Sequence, residues 1–158
     1  MRQLIDLLED KDLQKRCSAA KCFNCLAHNS NVASMMQADP RAAKQLMLLM
    51  HERDETVKAL GATSLFHLTV NAAPAVFKNL RSLGLYETVA DTIAHAYRTP
   101  EFAAIARAMS IRVLLVGSQM DKKLIKTIAA TEIIRTLMRE LQPDADVEFL
   151  DMALPFVC

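Results

Sequence analysis

Apolar residues along this chain recur with a period longer than any single helix. Leu4, Ile5, Leu7 and Leu8 are followed 42 residues later by Leu46, Met47, Leu49 and Met50. Ala19, Phe23 and Leu26 return at the same offset as Gly61, Leu65 and Leu68, and the polar residue behind each block, Asn29 and then Asn71, keeps its place. Two different apolar blocks sharing one period argue for an internal structural repeat, in which no unit buries its own apolar face alone. A third copy fits best at an offset of 46, which gives Ile111 and Leu114 as the two large residues and puts Arg107 at the small-residue position.

Within each block the spacing is helical, with apolar residues three and four apart. Asp39-Pro40 and Thr99-Pro100 supply an N-cap followed by a proline at the first helical position, where its missing N–H costs nothing. Asn29 to Asn31 and Asn71 are further start signals, and "LEDKD" and "HERDE" are charged turns. These signals predict helices near residues 2–9, 12–28, 31–38, 40–51, 55–70, 74–82, 85–97, 101–117, 121–129, 131–141 and 146–154. Each unit is then a short helix followed by two longer ones, with unit limits of about 1–28 (partial), 29–70, 71–118 and 119–158 in a single domain.

Composition agrees with an all-α chain. Of 158 residues 52% are hydrophobic, none is Trp, and three glycines and five prolines leave few breakers. The net charge of +1 argues against a strongly basic nucleic-acid module. Charge is uneven, however: residues 98–139 carry eight Lys or Arg against three acids, and from Glu140 onward there are five acids and no base. The first ten residues are amphipathic and contain acids, unlike a secretory leader. No apolar run reaches membrane-spanning length. Four cysteines in such a chain read as free thiols of an intracellular protein.

The residues resemble the armadillo repeat family and its HEAT relatives. "TVKALGATSLFHLTVN" matches the family's third helix through Val57, Gly61, Leu65 and Leu68. "AVFKNLRSLGLYETVADTI" matches its first and second helices, with Gly84 at the turn between them. The resemblance covers nearly the whole chain and implies a right-handed α-solenoid of about three repeats plus partial end units, whose third helices line a concave groove. Positions two, six and nine after the small core residue would face it. These are Lys21, Cys25 and His28, then Thr63, His67 and Val70, then Met109, Val113 and Val116. Armadillo proteins that carry nuclear-import cargo commonly place Trp and Asn at the first two of these positions to hold extended basic peptides. This chain has neither, so its groove is expected to take an amphipathic helix or an extended segment of mixed character. Lys21, Cys25, His28, Thr63, Phe66, His67, Met109 and Arg112 are the candidate binding residues.

Other chemistry finds little support. "KCFNCLAHN" holds Cys22, Cys25 and His28, but a structural zinc site needs four converging ligands and usually a second pair of similar spacing. A redox CxxC works at a helix N-terminus, where the dipole lowers the thiol pKa, and this one falls mid-helix. With Ala19, Phe23 and Leu26 taken as the buried direction, Cys22 is expected at the core edge and Cys25 on a more exposed flank. No nucleophile–base spacing or phosphate-cradling loop is present. Lys122, Lys123 and Lys126 read as a solvated helix face. The expectation is a cytoplasmic or nuclear, non-catalytic protein-binding scaffold or adaptor with no cofactor, no metal, no specific nucleic acid and no membrane span. Rival readings are a co-chaperone-type module gripping a folded nucleotide-binding or motor domain, self-association through apolar ends, and a metal or redox sensor using Cys22 and Cys25.

Overall fold

The computed structural model describes residues 2–27, 29–70 and 72–120, and every regular element among them is α-helical. The order is α1 (Arg2–Leu8), α2 (Leu13–Leu26), α3 (Ser30–Ala38), α4 (Pro40–Met50), α5 (Glu55–Thr69), α6 (Pro74–Ser82), α7 (Leu85–Ala94) and α8 (Pro100–Met120). The three helices expected beyond residue 120, together with Lys122, Lys123, Lys126 and Cys158, lie outside the described residues, as do His28 and Asn71.

Local chemistry explains the starts. Asp12 accepts from the Gln14 N–H at 2.9 Å, Asn29 from Asn31 at 3.0 Å, Asp39 from Arg41 at 2.9 Å and Asp54 from Val57 at 3.1 Å, each satisfying a donor that the first helical turn leaves open. The caps of α2 and α5 are thus 42 residues apart, like the apolar blocks they precede. Pro40, Pro74 and Pro100 open α4, α6 and α8. Gly84 takes a φ of 83° between α6 and α7, a left-handed conformation that L side chains rarely adopt.

Like helices pack on like helices. α1, α4 and α7 form one row, α2, α5 and α8 a second, and α3 and α6 cover α4–α5 and α7–α8 respectively. The core follows the repeat: Phe23, Leu65 and Ile111 are all fully buried, as are Leu68 and Leu114. The 46-residue offset of the third copy is therefore visible in burial, and Ser64 and Ser110 are buried at that same offset.

The tightest crossing is that of α4 over α5. A Cβ on Gly61 would stand 2.9 Å from the Met50 amide nitrogen and 3.0 Å from the Leu49 Cβ. Glycine inside a helix costs about 1 kcal/mol relative to alanine, and here the close approach requires it. Beside it Lys58, nearly buried, donates its ammonium to the Met50 carbonyl at the end of α4. Burial holds the Lys58 pKa below the ordinary 10.5, partly offset by the charges of Asp91 and Glu52.

Polar ties join the rows at their loop ends. Arg16 pairs with Glu52, and Arg41 binds Asp39, Asp6 and Glu9, tying α4 to α1. The Glu55 carboxylate accepts the Arg98 N–H at 2.6 Å and the Thr99 N–H at 3.0 Å, fixing the segment that leads into α8. Those backbone donors hold its pKa below the ordinary 4.5, the Arg98 N–H first.

Three expectations need correction. Leu26, read as core, is 47% exposed although its counterpart Leu68 is fully buried. Cys22 is likewise exposed where Ser64 is buried. The face of α5 that carries Ser64 and Leu68 is enclosed by neighbouring helices, whereas no described helix covers the corresponding face of α2. Finally, α7 stops at Ala94 rather than near 97, because His95 turns to an extended conformation at φ −62° and ψ 135°.

Two outcomes test this packing. Gly61→Ala should lower unfolding free energy by about 1–3 kcal/mol despite alanine's better helix propensity, because the overpacked contact is backbone. Chemical denaturation would read it, and an unchanged or raised midpoint would refute the crossing. Glu55→Gln should destabilise the protein at neutral pH. Because the folded carboxyl titrates below 4.5, its contribution is complete above that pH and is lost as pH falls through the depressed folded value. The gap between the two melting curves should therefore close on acidification.

Candidate binding groove

The proposed groove residues sit on the row formed by α2, α5 and α8. On α2, Lys21 and Cys25 are exposed. On α5, Thr63, Phe66 and His67 are half-buried, and on α8 so are Met109 and Arg112. His28 lies outside the described residues. Val113, which the repeat register placed in the groove, is buried, and this corrects that expectation. It belongs to a buried stripe with Ala106, Ser110 and Gly117, whereas Cys25, at the corresponding position of α2, is exposed.

Several of these side chains meet. The Arg112 guanidinium carbon lies 5.9 Å from the centre of the Phe66 ring, so a residue of α8 covers one of α5. A cation over a ring in this way is worth about 0.5–1 kcal/mol at an exposed site. The Phe66 and His67 rings are 5.6 Å apart at a tilt of 48°. The Thr63 hydroxyl donates to the Ala59 carbonyl at 2.9 Å, so its hydrogen points back to its own helix. Phe66 and Met109 also pack against the core, which makes the floor of the strip apolar and rigid.

Acidic residues are missing from this part of the row. α2 contains none. On α5 and α8 the acids are Glu55 and Glu101, both in the first turn and away from the strip. Of the three described cysteines, Cys17 is buried and Cys22 and Cys25 are exposed. Burial pushes the Cys17 thiol up, against the pull of Lys21 and Arg16. Among the described residues no three His, Cys, Asp or Glu side chains come together as a metal site. No helix among them is long and apolar enough to cross a membrane.

The loop edge carries geometry that the repeat pattern does not foretell. A cleft of about 490 Å³ lies between the start of α5 and the α7–α8 connection, with Arg53, Glu55, His95, Arg98 and Phe102 among its walls. His95 stands edge-on to Tyr97, with ring centres 4.7 Å apart, and the Tyr97 hydroxyl donates to the Thr92 carbonyl at 3.1 Å. Burial pushes the His95 pKa down and the Tyr97 pKa well up. Arg107 lies 5.6 Å from the Tyr97 ring centre and donates to the carbonyls of Ile93 at 3.1 Å and His95 at 3.2 Å. These polar groups spend their bonds on the connection itself. The sequence signal was the arginine at a position where the other copies have Ala19 and Gly61.

No family model and no curated protein sequence matches the chain. Solved structures do resemble it. One is the crystal structure of an engineered protein from the Northeast Structural Genomics Consortium, with a TM-score of 0.77 at 19% identity over 98% of this chain and 59% of that one. A second engineered protein from the same consortium gives a TM-score of 0.72 at 16% identity, over 98% of this chain and 68% of that one. The chain thus spans about three-fifths of the length of the first. At these identities the likeness is one of fold.

Thiol accessibility can be checked directly. In a Cys158→Ser background, an aromatic disulfide reagent should modify Cys22 and Cys25 within the mixing time and Cys17 only on unfolding. Fast labelling of Cys17 in the native protein would show that α2 is packed differently.

Proposed function

We propose that this chain is an armadillo-type right-handed α-solenoid that binds a protein segment along the strip on α2, α5 and α8 and acts as a non-catalytic scaffold or adaptor, cytoplasmic or nuclear. One observation carries the reading. Arg112 on α8 and Phe66 and His67 on α5 meet, and Lys21 and Cys25 are exposed on α2, the helix packed on the other side of α5. The set combines a rigid aromatic–arginine anchor with adaptable flanks, the mix from which binding hot spots are built. The likeness in fold to engineered proteins lends no partner and no activity.

Exposed Leu7 and Leu26 favour a second reading. Both stand open where their counterparts Leu49 and Leu68 are buried, which suits self-association through the α1–α2 face.

Affinity capture from lysate followed by crosslinking decides between them. The wild-type chain should yield partners crosslinked to residues on α2, α5 and α8, and a Lys21→Glu/Cys25→Glu variant, changed only at exposed positions, should lose them at an unchanged melting temperature. Crosslinks confined to the α1–α4–α7 row, or capture unaffected by the variant, would refute the groove. Concentration-dependent dimerisation abolished by Leu7→Glu/Leu26→Glu would support the second reading.

A further inference from the structure

We infer that the loop-edge cleft between the start of α5 and the α7–α8 connection binds a phosphate monoester, with the phosphate held between Arg53 and Arg98 and the group that carries it laid against Phe102. The site is separate from the strip on α2, α5 and α8 and stands whether or not that strip binds a partner.

Unanswered cations are the first ground. Arg53 and Arg98 are exposed on the walls of the cleft, and neither forms an ion pair among the described residues. The carboxylates beside them are committed to the backbone. Asp54 accepts the Val57 N–H at 3.1 Å and caps α5, and Glu55 accepts the Arg98 and Thr99 N–H groups at 2.6 and 3.0 Å. Each acid thus answers open amide donors at or just before a helix start, where the positive end of the dipole offsets its charge. The two guanidinium groups are left over.

The repeat supplies the second ground, as a comparison within the molecule. One unit earlier a cleft of about 410 Å³ occupies the same place on the loop edge, between the α1–α2 turn and the end of α4. In it Lys11 stands 42 residues before Arg53, and Glu52 stands 46 before Arg98, the offsets that relate the buried blocks. Glu52 pairs with Arg16, so the first cleft is closed by its own charges. In the second, Lys58 takes the place of Arg16 and turns inward to the Met50 carbonyl, while the acid has become Arg98. Where the first cleft sets an acid against a base, the second sets one guanidinium against another.

The chemistry of the occupant follows. A guanidinium offers a planar fork of N–H donors that matches two oxygens of an anion. A carboxylate, with two oxygens and one charge, answers one such fork. A phosphate monoester carries three terminal oxygens and a charge of about −1.5 to −2 at neutral pH, and answers both. At about 490 Å³ the cleft falls within the range of about 300–1,000 Å³ typical of small-ligand sites and exceeds what a bare phosphate fills. The half-buried Phe102 gives the remainder an apolar wall. A nucleic-acid strand fits less well, because it brings one charge per phosphate and draws its affinity from cations strung along its length, not from two at one spot.

Isothermal titration calorimetry of the full chain with phenyl phosphate tests the site. Benzoate, a phosphotyrosine peptide and a uridine RNA oligonucleotide are the comparison probes. Phenyl phosphate should bind saturably, and benzoate about tenfold more weakly. Arg53→Glu and Arg98→Glu, both at exposed positions and checked by melting temperature, should each weaken phenyl phosphate by about tenfold or more. Lys11→Glu, in the first cleft, should leave it unchanged. The peptide separates two sources of the same chemistry. Tighter binding of the peptide than of phenyl phosphate supports the site as a reader of phosphorylated side chains, and equal or weaker binding supports it as a site for a free monoester. Benzoate binding as well as phenyl phosphate overturns the phosphate assignment, and tighter binding of the RNA overturns the monoester. Binding of no probe, or binding that survives both arginine variants or falls equally in Lys11→Glu, overturns the site.

Discussion

The close approach of α4 and α5 at Gly61 sets the geometry on which the rest depends. With no Cβ in the way, the α5 backbone lies against Leu49 and Met50, and that proximity brings the Lys58 ammonium to the Met50 carbonyl. A helix C-terminus leaves carbonyls without intrahelical partners, and a cation there satisfies one while meeting the negative end of the dipole. The same device recurs with different side chains. Arg16 donates to the carbonyls of Asp10 and Lys11 after α1, and Arg107 to those of Ile93, in the last turn of α7, and His95, just after it. Among the described residues, a base on α2, α5 and α8 therefore grips the end of α1, α4 and α7 respectively. The shift of the third copy is already present where its helices start, since α7 begins 45 residues after α4 and α8 begins 45 residues after α5.

Helices were legible in the sequence because their ends are chemical. Asp12, Asn29, Asp39 and Asp54 cap as their residue types suggest, and the prolines open helices where a missing N–H is harmless. The end of α7 was not legible, since apolar spacing continues through Tyr97 while the backbone has left the helix. Tyr97 stays on the core because its hydroxyl finds the Thr92 carbonyl and Arg107 lies over its ring. Periodicity reports which side chains share a face, not which neighbour covers it. Leu26 and Leu68 share a register and differ entirely in burial for that reason.

The strip was partly legible in the same way. A repeat offset of 46 puts Phe66 and Arg112 at one position, and the two are stacked. Val113 failed because α8 is buried at a position where α2 leaves Cys25 exposed. The loop-edge arrangement around Glu55 was hidden altogether. Its partners are backbone N–H groups 43 and 44 residues away, and no side-chain pattern marks a bare amide.

Cations on α2, α5 and α8 fall into two groups by the work they do. Arg16, Lys58 and Arg107 are committed to carbonyls of this chain, and replacing any of them would leave a buried or half-buried acceptor open. Lys21 and Arg112 lie on the strip instead, Lys21 exposed and the Arg112 guanidinium carbon 5.9 Å from the centre of the Phe66 ring. Folding explains the first group completely. Each of the three holds the end of one helix against the next, so the repeat keeps a base on its third helix although the side chain and its position vary.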